Sequence, residues 1–170
     1  MSKPVRTIVV VGGVVILYSF IVRIAGIYFF WESSFLGWTV LFIGLLLWLF
    51  RSMKIKKAAG KKRIGEKLGI AFLILALIVQ LVVIIVFPRT DAYAAAVAYV
   101  KSNDSLKKDL GAIKGFGFTE SGSIAVSSTD TSEAGNAELH LIVKGEKKYK
   151  DLTIDMVKDW NTPWEVQDIR

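Results

Sequence analysis

Cysteine is absent from this 170-residue chain, histidine occurs once, at His140, and proline occurs three times. Without cysteine no disulfide can staple the fold, and no thiolate is on hand as nucleophile or metal ligand. A soft copper site draws on cysteine, methionine and histidine. Here only His140, Met1, Met53 and Met156 remain. Met1 and Met53 fall among cytoplasmic residues, Met156 on a core-facing strand position, and His140 on the polar face of a strand. A metallochaperone is therefore disfavoured, and neither a metal nor a cofactor is expected. A serine triad would have to use the same His140, and Ser123, Ser127 and Ser128 lack a nucleophile-elbow signature. Gly115-Phe116-Gly117-Phe118 opens no helix and precedes no Lys-Ser/Thr pair, so it is not a phosphate loop. The chain reads as a non-enzyme.

Acidic residues are scarce in the first half. Residues 1–87 hold eleven Lys/Arg against two Asp/Glu, whereas residues 88–170 hold eleven against thirteen. The overall charge of +7 therefore belongs to the first half. There the cations concentrate in one segment, 51–67, with eight Lys/Arg and the single acid Glu66. Because that segment lies between apolar runs, membrane topology explains it better than nucleic acid does, and no nucleic-acid partner is expected.

Long apolar runs are what the first half does have. They cover about 7–31, 33–50 and 68–87, each near the ~20 residues that cross a bilayer core. In lipid such runs must be helical, since every backbone polar group has to be satisfied within the segment. The first run is longer than a signal-peptide core and lacks a small-x-small cleavage site, so it is expected to stay as a span. Trp31-Glu32-Ser33-Ser34 joins the first two spans in a tight hairpin. The basic segment 51–67 is expected on the cytoplasmic side, with Lys3 and Arg6, which puts the Glu32 turn and residues 88–170 outside. The expected location is a bacterial inner membrane, with the lipid bilayer itself as a partner. Tyr28, Trp31, Trp38 and Trp48 fall near span ends, as interfacial aromatics do.

Polar residues within the spans are few. Arg23 lies toward the outer end of the first; it either snorkels to the interface or pairs with Glu32, and both are candidate contact residues. Gln80 can bond a neighbouring helix. Gly12-Gly13 and Gly37…Gly44 allow close helix packing, within the hairpin or with a partner.

The second half has the pattern of a small α+β domain over 88–170. Pro88 ends the third span. Thr90 or Asp91 caps a helix carrying Tyr93, Ala96, Val97 and Val100 on one stripe. A further short helical stretch closes at Gly111. Strands are expected over 113–119, 122–128, 137–144, 148–157 and 164–169. In the third, Ala137, Leu139, Leu141 and Val143 alternate with Glu138, His140, Ile142 and Lys144. In the fourth, Leu152, Ile154 and Met156 share a face. Turn residues at 120–122, 129–136, 144–146 and 161–163 separate the strands and predict an antiparallel meander with a helix on one face. Asn103-Asp104-Ser105 matches a glycosylation sequon, a pattern common by chance.

Several of these residues carry a likeness. They are Tyr99 in the helix after the span, Leu110-Gly111, the 115–118 segment, Gly122-Ser123-Ile124, Gly135 to Leu139, Val143-Lys144-Gly145 and Trp164-Glu165-Val166. Over roughly 88–169 the chain resembles the cytochrome c oxidase assembly factor 1 family. That resemblance implies a membrane-tethered α+β domain outside the cytoplasm. It also implies a role in assembling a respiratory membrane complex through contacts with membrane-protein partners, respiratory complex subunits among them. Such proteins typically hang from a single span, and this chain has two more. The alternative is an accessory subunit of another membrane complex, such as a secretion or transport system. Phe116 and Phe118 join Arg23 and Glu32 as candidate contact residues.

Overall fold

The computed structural model describes residues 2–118, 121–128, 133–160 and 162–170. They form an α+β chain of two compact units, Met1–Leu81 and Val82–Arg170.

The first unit is built on α1 (Lys3–Ile24), α2 (Ser33–Ala58) and α3 (Ile64–Val86). All three are long and apolar enough to cross a membrane, which makes this an integral membrane protein. Helices α1 and α3 begin four residues earlier than expected, at Lys3 and Ile64, and two helix ends differ by more. Helix α1 stops at Ile24 instead of running on to Trp31, so the connection to α2 is 25–32. Apolar character persists through Ile27, Tyr28, Phe29 and Phe30, and hydropathy alone does not separate helix from turn. Gly26 with φ +64° and Phe30 with φ +47° reverse the chain there. Helix α2 runs past the first cation, Arg51, to Ala58, so most of the basic segment is helical. Lysine and arginine are good helix formers, and their charge does not end a helix.

The hairpin of α1 and α2 depends on glycine. A Cβ on Gly12 would meet the Leu41 nitrogen at 2.8 Å, and one on Gly37 the Ile16 nitrogen at 2.8 Å. Gly44 packs as closely on Val9, while Gly13 faces open space. Three of the four glycines thus serve packing within the hairpin. Helix α3 is attached to α2 by polar hooks. Thr39 Oγ1 donates to Gln80 Oε1 at 3.3 Å. Ser52 Oγ donates to Glu66 Oε1 at 3.2 Å, and Lys56 pairs with the same carboxylate. The two hooks lie thirteen residues apart on α2 and fourteen apart on α3. At 1.5 Å per residue both spacings are ~20 Å, so the antiparallel helices meet in register at both points.

The second unit opens at the end of α3. Pro88 cannot continue an α-helix, and Phe87–Arg89 form one 3₁₀ turn. Thr90 caps α4 (Asp91–Ser102), its hydroxyl accepting from the Tyr93 N–H at 3.3 Å. Asn103 does the same for α5 (Asp104–Leu110), accepting from the Leu106 N–H at 3.0 Å. Gly111 ends α5 at φ +78°. The strands are β1 (Ile113–Phe116), β2 (Ser121–Ser128), β3 (Glu133–Gly145), β4 (Tyr149–Lys158) and β5 (Glu165–Ile169).

The sheet differs from a simple meander at its start. β1 and β2 both pair antiparallel with β3, and β4 takes the other side of β3. They are therefore two pieces of one edge laid end to end, not a hairpin. The ladder between them continues through the Gly117 N–H, which donates to the Ile142 carbonyl at 2.7 Å. Ser121 and Gly122 thus belong to a strand, and the Thr119 and Glu120 assignments lie outside the described residues. β3 also begins at Glu133, four residues before the expected Ala137. Gly135 marks close approach there instead of a turn: a Cβ would sit 2.5 Å from the Ala125 carbonyl. Residues 129–132 of the expected loop, and Asn161 of the last turn, lie outside the described residues.

One core fills the space between helices and sheet. Ala92, Ala96 and Val100 of α4 and Leu106 and Leu110 of α5 bury against Ala137, Leu139, Leu141 and Val143 of β3. Leu152, Ile154 and Met156 of β4 complete it. Register explains the match: Leu139 faces Ile154, Leu141 faces Leu152 and Ala137 faces Met156. Ile142 is also buried, on the opposite face, where strands flank β3 on both sides. Truncating Leu139, fully buried at the centre of this layer, to alanine is expected to destabilise the unit by about 3 kcal/mol. Urea unfolding followed by tryptophan emission measures it; a loss below about 1 kcal/mol would contradict the core position.

Candidate interaction surfaces

The two outer edges of the sheet differ in how they are protected. Exposed edges template pairing with other chains and are normally guarded by charge, proline, bulges or shortness. β5 carries Glu165 and Asp168, follows Pro163, and shifts register opposite Asp155 and Met156. β1 is four residues long, carries Lys114 and has its own register shift. β2 has none of these guards. It is Ser-Gly-Ser-Ile-Ala-Val-Ser-Ser, eight residues in unbroken register with β3, without a charge or a proline. Among the described residues no strand pairs its outer side.

Side chains on β2 alternate as its pairing requires. Ile124 lies opposite Ala137 and Val126 opposite Gly135, so both share the face of the core. Ile124 is half-buried and Val126 is 48% exposed. Ser121, Ser123, Ala125 and Ser127 present only small groups on the other face. Gly122, with a Cβ position 2.0 Å from the Glu138 carbonyl, brings the edge backbone close against β3.

The candidate residues separate. Phe116 is half-buried against the core, with Lys101 Nζ 5.9 Å from its ring centroid. Phe118 is 40% exposed at the break between β1 and β2, on the open edge. Arg23 and Glu32 lie elsewhere, at the hairpin turn of the first unit. The Trp31 carbonyl accepts from Ser19 Oγ at 3.2 Å and from Arg23 Nη2 at 3.4 Å. The guanidinium carbon sits 5.2 Å from the Trp31 ring centroid. Trp31 Nε1 donates to the Ile27 carbonyl at 2.8 Å, so the indole is folded into the turn instead of facing lipid. Glu32 is fully buried at the start of α2. Arg23 thus ties the connection 25–32 back onto α1. The β2 edge was not legible as a site in the sequence; its lack of charge was the available signal.

Beyond the edge, the open face of the sheet is polar. His140 is fully engaged there, with Nδ1 2.9 Å from Thr153 Oγ1 and Nε2 3.3 Å from Glu138. Arg170 bridges Asp155 and Asp168, which raises its pKa above the ordinary value. Among the described residues no group of three or more His, Cys, Asp or Glu is placed to hold a metal ion. Compared with family models, curated proteins and solved structures, the chain matches none.

One ion pair fastens α5 to the head of β4. Lys148 Nζ lies 2.6 Å from Asp109 Oδ1. The hydrogen bond from Lys148 lowers the Asp109 pKa below the ordinary 3.8. A depressed carboxylate stabilises the fold above its unfolded-state value, and that contribution disappears as pH falls through the folded-state value. Both groups are solvent-accessible, so the effect is small and salt-sensitive. Asp109→Asn is expected to reduce the fall in urea midpoint between about pH 6 and about pH 2. An unchanged fall would show that the pair contributes nothing.

Proposed function

We propose that this protein is a membrane-anchored assembly or interaction factor whose second unit docks partner membrane proteins by strand addition on β2. The observation that carries the proposal is the unguarded edge: eight uncharged residues in unbroken register, beside edges that are guarded. Added strands gain main-chain hydrogen bonds from the edge and specificity from alternate side chains. Ile124 and Val126 would receive apolar residues of the incoming segment on one face, while Ser123 and Ala125 leave room on the other. Exposed Phe118 supplies an aromatic anchor at one end of the edge.

The resemblance to cytochrome c oxidase assembly factor 1 supports respiratory membrane complexes as partners. The basic segment 51–67 supports an orientation with that segment in the cytoplasm and residues 88–170 outside, in a bacterial inner membrane.

A photo-crosslinking residue in place of Phe118 is expected to capture an extended segment of a membrane-complex subunit. Subunits of a respiratory complex support the resemblance; subunits of a secretion or transport system assign the role there. Val126→Lys, at an exposed position, places a charge on the docking edge. It is expected to cut capture about tenfold, equivalent to ~1.4 kcal/mol, with unfolding unchanged. Full capture by the lysine variant rejects strand addition. For orientation, a reporter fused after Arg170 is expected to be active only outside the cytoplasm, and cytoplasmic activity reverses the topology.

A further inference from the structure

We infer that the basic turn between α2 and α3 is a binding site for an anionic phospholipid, held by its phosphate headgroup. This inference does not depend on strand addition or on which side of the membrane the turn faces.

The turn is closed by backbone hydrogen bonds and projects cations. Helix α2 ends in a Schellman arrangement: the Gly60 N–H donates to the Lys57 carbonyl at 3.2 Å, and the Lys61 N–H to the Lys56 carbonyl at 2.9 Å. Gly60 takes φ +66°, which a side chain would disfavour. The chain then passes through Lys61, Lys62 and Arg63 into α3 at Ile64.

The only acid of the segment is already committed. Glu66 is nearly buried, paired with Lys56 and bonded to Ser52. Among the described residues Lys54, Lys57, Lys61, Lys62, Arg63 and Lys67 make no ion pair, and all but Arg63 are exposed. Such a cluster repels itself unless counter-charge is supplied from outside the chain. Four of these cations, Lys61, Lys62, Arg63 and Lys67, line one shallow cavity of about 320 Å³ together with Gly60 and Ile64. A lipid is favoured over free phosphate by what lies next to the cations. Ile55 is 62% exposed, and Ile64 and Leu68 are each 67% exposed. A ligand with an anionic head and an apolar chain satisfies both, and cation clusters flanking spans attract anionic leaflets.

The test is native mass spectrometry of the full-length protein in detergent, with added phosphatidylglycerol or phosphatidylcholine of identical chains. Phosphatidylglycerol is expected to be retained about tenfold more tightly, and about 0.5 M salt to erase the difference. In K61Q/K62Q/R63Q the preference should fall to the phosphatidylcholine level, while K147Q/K148Q on the second unit keeps it. Equal retention of the two lipids by the native chain overturns the inference, even if the triple variant cannot be purified. So does undiminished preference in that variant. Displacement of the lipid by about 10 mM inorganic phosphate would identify a free-anion site and reject the lipid.

Discussion

Strand β3 is bonded along both sides for most of its length, and β1, β2 and β4 take their places directly from it. On one side it carries β1 and β2 in line, and on the other β4 from Gly135 to Lys144. That double pairing consumes its backbone polar groups, so its apolar side chains can be buried without an orphaned N–H or C=O. Leu139 and Val143 reach zero exposure, as do Ala96, Val100 and Leu110 of the covering helices. The helix caps follow the same accounting. Thr90 and Asn103 each satisfy an N–H that the helix leaves open, and Gly111 ends α5 where the chain turns toward the sheet.

The first unit obeys the same constraint in a different solvent. Lipid gives helices no hydrophobic reason to associate, so contact must come from close packing and polar bonds. The two modes are divided between the helix pairs. α1 and α2 use glycine to bring backbones together, and α2 and α3 use Thr39–Gln80 and Ser52–Glu66. The turn between α1 and α2 uses a third device. Its carbonyl at Trp31 accepts from both Ser19 and Arg23, which fills both acceptor sites. Arg23 is therefore explained as a structural tie.

Much of this was legible in the sequence because it is periodic. Period two in Ala137–Val143 and in Leu152–Met156 identified the sheet face that is buried; the stripe of α4 identified Tyr93, Ala96 and Val100, but the core takes Ala92 and not the expected Val97. What periodicity cannot supply is which strands are neighbours. A turn was expected at 120–122, yet β1 and β2 run in the same direction along one side of β3. The same blindness hid the open edge, since β2 is an edge only because β1 pairs with β3 in line with it and not with the outer side of β2. Helix ends were misjudged where side-chain chemistry changes before the backbone does, at Arg51, or after it, at Trp31. Of the contact residues, Arg23 and Glu32 drew notice as charges near lipid and belong to the turn. Phe118 was one of two aromatics that local sequence treats alike, and only the fold separates it from the packed Phe116.

An edge without charge is a liability for a freely diffusing protein, because it invites pairing with any extended chain. Tethering changes that balance. Three spans tether the second unit, so under the proposed strand addition the segments it would meet are those within reach of the membrane, at effective concentrations set by that tether. Under that proposal a weak, main-chain-dominated contact would be enough for transient holding, and lysine or proline on the edge would remove it. β1 and β5 both carry such guards. Their absence from β2, over the longest edge segment of the sheet, is the observation on which the proposed strand addition rests.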